Sequence, residues 1–345
     1  MNNLLMNVFH KIETLTETKS IFQYSAEVIV SEIVSVIAEP IKKLNLSVIR
    51  NSVVIERGKY FVNNDLIVLD EGKLIIEAGV QLFFGKSCGI IVLGCLEVKG
   101  IAEDLVVITG DKWKNITLVE NSIDKRIKSF LKYVVIHGGN GSSKNPRDEK
   151  SYFFEKEKSR GGNIFSKGRN LLLDHVIISN GKAESGGGMF VYKGILEMRN
   201  CIVCNNEGVR TGGIEIYNPS YYINTVSILS NVVIDGNKSI DSAGGISINK
   251  GTIILDKLFV QNNYSEEFCG GMIIKNTSIN PFESVNVEFT LLKDSVIMNN
   301  SGSTNGGLYC SNCFLIENIF SNNKISNNIA RDSDSHDFEL QKFTS

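Results

Sequence analysis

Between residues 160 and 325 the apolar positions fall in brief runs, parted by glycine, asparagine or lysine, and the runs recur. Two glycines lead into an aliphatic residue at Met189, Ile214, Ile246, Met272 and Leu308, and an aliphatic-x-x-Asn tetrad follows each downstream. The tetrads are Ile177 to Asn180, Ile202 to Asn205, Ile234 to Asn237, Phe259 to Asn262, Val296 to Asn299 and Ile319 to Asn322. A degenerate first copy, Gly161-Gly162-Asn163-Ile164, opens the series, and steps between anchors are 25, 25, 32, 26 and 36 residues. Short apolar runs parted by turn residues predict strands, whereas helical repeats need stripes of about ten residues at i, i+3, i+4. A unit repeating at this period stacks on itself, which predicts a solenoid; three short strands per unit predict a parallel β-helix of about ten coils. Asn falls 16 residues after its anchor in three copies, so stacking places it in one turn, where its amide can bond the Asn above and below. The longer copies carry their extra residues in loops at Asn218 to Asn224 and about Asn276 to Asn286.

The first fifty residues have a different texture. Ala26, Ile29, Val30, Ile33, Val36, Ile37, Ile41 and Leu44 follow helical spacing, which predicts an amphipathic helix from Ser25, ended or kinked near Pro40. Residues 1–48 are read as an N-terminal helical cap over the open end of the stack, 49–328 as the β-helix and 329–345 as a tail. The 31 glycines against 4 prolines fit a chain of turns and ladders, and the glycines are expected to supply positive φ. With 36 basic and 38 acidic residues and no basic run, nucleic acid is excluded as a partner. No apolar run is long enough for a transmembrane helix, and the N-terminus lacks the pattern of a secretory signal.

Strands are predicted through the first half as well: Val53 to Ile55, Leu66 to Leu69, Leu74 to Ile76, Leu82 to Phe83, Ile90 to Val92, Val106 to Thr109 and Tyr133 to Ile136. The stretch opening at Gly58, the run Leu66 to Val80, the segment Gly94 to Gly100 and then Trp113 resemble the opening coils of right-handed parallel β-helix proteins of bacterial surfaces. The Gly-Gly-aliphatic and aliphatic-x-x-Asn pairs resemble the passenger repeats of polymorphic outer membrane proteins. Together the resemblances cover roughly residues 52 to 328. They imply a right-handed winding, a pectin lyase-like fold and a place at the cell surface or outside the cell, with the cytoplasm as the alternative. The motif residues are turn and core residues, so the resemblance says little about activity.

Acid/base chemistry on such a fold needs carboxylates at matching positions of neighbouring coils, within about 10 Å. With the anchors inward, the outward column reads Phe165, Phe190, Glu215, Ser247, Ile273 and Tyr309, and two residues on Lys167, Tyr192, Tyr217, Asn249, Lys275 and Ser311. Glu215 is the one acid in either column; a dyad would have to borrow a loop residue such as Glu283. The Cys201-x-x-Cys204 and Cys310-x-x-Cys313 spacings lie within strands, where residues three apart face opposite ways, so buried free thiols are expected and no metal or cofactor. Asp174-His175 reads as a hydrogen-bonded turn, and the other histidines, His10, His137 and His336, are scattered. What remains is an aromatic strip, Phe190, Tyr192, Tyr217 and Tyr309 with Glu215, Asn249 and Lys275 among it, and Tyr221 and Tyr222 in a nearby loop. Flat rings with polar neighbours suit sugar stacking or a protein partner. The sequence therefore points to a monomeric, non-catalytic surface module, an adhesin or carbohydrate-binding passenger for a glycan or a host or neighbour-cell surface protein. The alternatives are a polysaccharide lyase or glycoside hydrolase, and an intracellular scaffold.

Overall fold

In the computed structural model the described residues are 41–124, 127–141, 159–218, 226–275, 290–311, 320–321, 323–332 and 338–341. They form strands alone, in sheets of 16, 11 and 6 strands. Every strand pairing in these sheets is parallel, and each strand pairs with its counterpart one repeat further along. The chain thus visits the sheets in turn, an arrangement consistent with a parallel β-helix. The sequence-predicted strands from Val53 to Ile136 and the Gly-Gly-aliphatic strands all lie in these sheets. The expected helix lies mostly outside the described residues; at its end Lys42–Lys43 is a strand beside Gly58–Val62. Among the described residues no helix is long and apolar enough to cross a membrane.

One repeat has three parts. A four-residue strand in the 11-stranded sheet, such as Met189–Tyr192, leads into a long strand of the 16-stranded sheet, such as Leu196–Cys204, and then a two-residue strand of the 6-stranded sheet, such as Glu207–Gly208. The long strand bends at one residue in the left-handed region, which in successive coils is Tyr133, His175, Asn200, Asn231, Lys257 and Asp294. The anchors and their i+2 neighbours, including Met189 and Val191, Ile214 and Ile216, Ile246 and Ile248, point inward into one continuous apolar core. In-register stacking keeps like side chains in columns about 4.8 Å apart, so the core grows coil by coil.

The paired glycines answer to crowding rather than to φ. Gly213 and Gly245 are not in the left-handed region, but a Cβ on Gly213 would lie 2.3 Å from the Gly245 carbonyl, and one on Gly245 2.6 Å from that of Gly271. The turn passes so close to the next coil that only a hydrogen fits on that side. The positive φ expected of glycine is met at other repeat glycines, Gly161, Gly186 and Gly236 among them, and is shared with asparagine.

The asparagines do two jobs at adjacent positions. Asn180, Asn205, Asn262, Asn299 and Asn327 hold φ of 51°, 54°, 55°, 57° and 59°, and Gly236 takes that place in its coil. The hydrogen-bonded ladder runs one residue further on, through Asn206, Asn237, Asn263, Asn300 and Asn328. Each amide nitrogen donates to the next Asn Oδ1 at 2.9, 3.0, 3.0 and 2.9 Å. The same Oδ1 accepts the backbone N–H of the ladder asparagine one coil back, and each amide also reaches a main-chain carbonyl such as that of Val203, Ile234 or Val260. Where Gly181 has no side-chain amide, its backbone N–H still donates to Asn206 Oδ1 and the Asn163 amide extends the ladder to the same oxygen. The single turn expected to hold the tetrad Asn in a ladder is thus two columns, and among the described tetrad asparagines only Asn237 belongs to the ladder. The last tetrad also shifts: Lys324 pairs with Val296, so Asn327, not Asn322, aligns with Asn299.

Candidate functional site

The outward column of the 11-stranded sheet is not an open strip. Phe190, Tyr192 and Tyr309 are 6%, 8% and 7% exposed and Glu215 is 1% exposed; Tyr217 and Asn249 are half-buried and Lys275 is exposed. Parallel register is the cause, because it sets like rings face to face. Phe165 stacks on Phe190 with centroids 5.8 Å apart, and Tyr192 on Tyr217 at 5.6 Å with planes 4° apart. One face of each of these rings is thereby covered by the ring of a neighbouring coil. Tyr309 belongs to a second cluster, where Ala243, Cys269 and Phe268 from the glycine turns pack against Ile273. Phe190, Tyr192 and Tyr217 are therefore brought together, Tyr309 and Lys275 lie apart from them, and the Lys275 ammonium sits over Phe268 instead. Tyr221, Tyr222 and Glu283 lie outside the described residues.

Glu215 stands between Phe190 and Ser247 on neighbouring strands. Its Oε1 meets Arg210 at 3.1 Å, while Oε2 is buried without a hydrogen-bond partner. Burial raises its carboxyl above the ordinary range, and the charges of Arg210 and Arg160 oppose the shift, as does the adjacent Thr211 hydroxyl, which lies outside hydrogen-bonding geometry. The register brings the next acid of this column, Glu339 beside Tyr309, four strands further on, so Glu215 is an isolated buried carboxylate rather than half of a dyad.

An open, polar groove lies on the 6-stranded sheet. It has a volume of about 750 Å³ and is lined by Lys182, Glu184, Glu207, Lys238, Tyr264 and Glu266, with Val209 and Ile240 midway and Ala183, Gly208 and Ser239 on its floor. Register explains the order. Lys182, Glu207, Lys238 and Tyr264 form one column, all exposed, and the next outward column, two residues on, carries Glu184, Val209, Ile240 and Glu266. The first column spans three steps, about 14 Å at the usual strand spacing. Lys182 pairs with Glu207 at 2.6 Å. Tyr264 is 36% exposed; the Arg331 guanidinium lies 4.7 Å from its ring centre and donates to its hydroxyl, fixing the ring. These residues stand two places after each left-handed Asn or Gly, so the groove lines up once the third copy is aligned on Gly236 rather than on its tetrad residue Asn237.

Cys201 is in the apolar core and Cys204, three residues on, is buried outside it; burial pushes the Cys201 thiol up to about 12. Cys88, Cys95, Cys201, Cys204, Cys269 and Cys310 form no disulfide, and Cys313 lies outside the described residues. His175 holds the bend of its long strand, with Nδ1 2.7 Å from Asp174 and its ring stacked on Tyr133 at 4.4 Å. Burial alone would raise Asp174, but the His175 hydrogen bond and the charges of His175 and Lys132 bring it below the ordinary carboxylate range. Among the described residues no group of three His, Cys, Asp or Glu is placed to hold a metal ion. No protein-family model matches the chain, and no curated protein and no solved structure matches it.

Proposed function

We propose that the chain is a right-handed parallel β-helix, of the kind seen in surface passengers, that works as a non-catalytic binding module for an extended glycan. Right-handed winding is supported by the near-universal hand of crossovers between parallel strands. The binding reading is carried by one observation: a groove across four stacked coils that sets charged side chains, the apolar pair Val209 and Ile240 and the Tyr264 ring at the coil spacing. Such a surface offers contacts over several coils, as a chain-like ligand needs and a small metabolite does not. Glu207, the acid central to the groove, is exposed and ion-paired to Lys182, an arrangement suited to gripping hydroxyls rather than to shuttling protons. A place at the cell surface follows from this reading and is part of the proposal.

A broad glycan array, followed by analysis of the bound material for new reducing or unsaturated ends, tests it. Retention of a subset of glycans without cleavage is the expected outcome. Cleavage that disappears in Glu207→Gln would replace the module with a lyase or hydrolase, and the absence of any glycan binding would leave the scaffold reading in its place.

A further inference from the structure

We infer that the ligand of this groove is an uncharged, hydroxyl-rich oligosaccharide lying along the stack, a conclusion that rests on the binding reading above. The first argument is the order of charge. In the outer column lysine, glutamate and lysine alternate coil by coil, and the second column begins and ends in glutamate. A polyanion drawn along the groove meets Glu184, Glu207 or Glu266 in any register, and a polycation meets Lys182 or Lys238. Like charges in contact cost more than the interleaved opposite charges return, because Lys182 and Glu207 already satisfy each other at 2.6 Å. A neutral chain has no such conflict: its hydroxyls donate to the carboxylates and accept from the ammonium groups.

The second argument is the centre of the groove. Val209 and Ile240 lie between Glu184 and Glu266, Ile240 is 41% exposed, and the Tyr264 ring borders them. An apolar patch rimmed by hydrogen-bonding groups matches a pyranose, which has a C–H face and a hydroxyl rim. The third argument sets peptide aside. A peptide gains most on a sheet by adding to a free strand edge, and here the floor strands are hydrogen-bonded to both neighbours. The first of them is closed by Lys182 and Glu184 donating their backbone N–H groups to Gly139 and Ser159. Recognition must come from side chains, as it does for sugars.

Calorimetric titration of the full chain tests this with four classes of probe: neutral gluco-, manno- and xylo-oligosaccharides, oligogalacturonate, chitosan oligomers and a peptide of alternating lysine and glutamate. The expected result is binding of a neutral probe at least about tenfold tighter than any charged one, changing less than about twofold between low and high salt, since screening acts on charge pairs. Glu184→Gln with Glu266→Gln should then narrow the gap by strengthening oligogalacturonate. Tighter binding of oligogalacturonate, chitosan or the peptide by the wild-type chain, lost in Tyr264→Ala, overturns the neutral assignment but keeps the groove as a binding site. No binding of any probe overturns both.

Discussion

Truncating Asn263 to alanine removes four hydrogen bonds from the interior of the ladder. Its amide nitrogen donates to the Ile234 carbonyl and to Asn300 Oδ1, both at 3.0 Å, and its Oδ1 accepts the Asn237 backbone N–H at 2.9 Å and the Asn237 amide at 3.0 Å. A net contribution of about 1 kcal/mol each gives about 4 kcal/mol. The buried Asn237 N–H and Ile234 carbonyl left without partners push this up, and a water entering the gap brings it down, so the expected loss is about 3 to 5 kcal/mol. The neighbouring Asn262 behaves differently. It is exposed, with φ 55°, and donates only to Asp235 Oδ1 among the bonds of its side chain described here. Asn262→Ala should cost about 1 to 2 kcal/mol from left-handed strain, and Asn262→Gly close to nothing, since glycine takes that conformation freely. Asn263→Gly should be no better than Asn263→Ala. Urea denaturation gives the differences. Because a stack of coils need not unfold in one step, hydrogen exchange at the Asn237 amide supplies the local reading. A loss under about 1 kcal/mol in Asn263→Ala with the Asn237 amide still protected would refute the ladder, as would rescue by glycine at 263.

Gly213→Ala should prevent soluble expression or cost more than about 3 kcal/mol, because its Cβ would lie 2.3 Å from a backbone carbonyl that cannot withdraw; ordinary expression and melting would show that the coils separate easily. Burial holds Glu215 above its ordinary value of 4.5, so the folded chain binds that proton more tightly than the unfolded one. Its stabilising contribution is full below that value and lost as pH rises through the folded pKa; Glu215→Gln should flatten that fall and melt higher than wild type at neutral pH, and parallel melting curves from acid to neutral pH would count against it. Cys201, with its thiol pushed up to about 12, should stay unlabelled by a thiol reagent at mildly alkaline pH until the chain unfolds; rapid labelling of the native protein would contradict its place in the core.

The strand order was legible because alternation and period are carried by residues whose job is the same in every coil. Met189, Ile214 and Ile246 all fill the core, and sequence spacing maps directly onto stacking. The asparagine doublets were half legible. Spacing marks the turn, but Asn205 and Asn206 differ only in backbone angle and burial, which no period encodes. The aromatic column was placed on the correct face, but its burial was not legible, since outward from the core is not the same as open to solvent when like rings stack in register. The groove went unread for a simpler reason. Its strands are two residues long, too short for alternation to register, and its members, Lys182, Glu207, Lys238 and Tyr264, share a position but not a chemistry.

Equilibrium binding by Tyr264→Ala and Tyr192→Ala, against a neutral oligosaccharide retained by the wild-type chain, tests the central claim most directly. Tyr264 borders the groove and Tyr192 is buried in the ring stack of another sheet. Tyr264→Ala is predicted to weaken binding at least about tenfold with its melting temperature nearly unchanged, whereas Tyr192→Ala should melt lower and bind as wild type while folded. Binding untouched by Tyr264→Ala and abolished by Asn249→Ala or Lys275→Ala would place the site on the 11-stranded sheet and contradict the account.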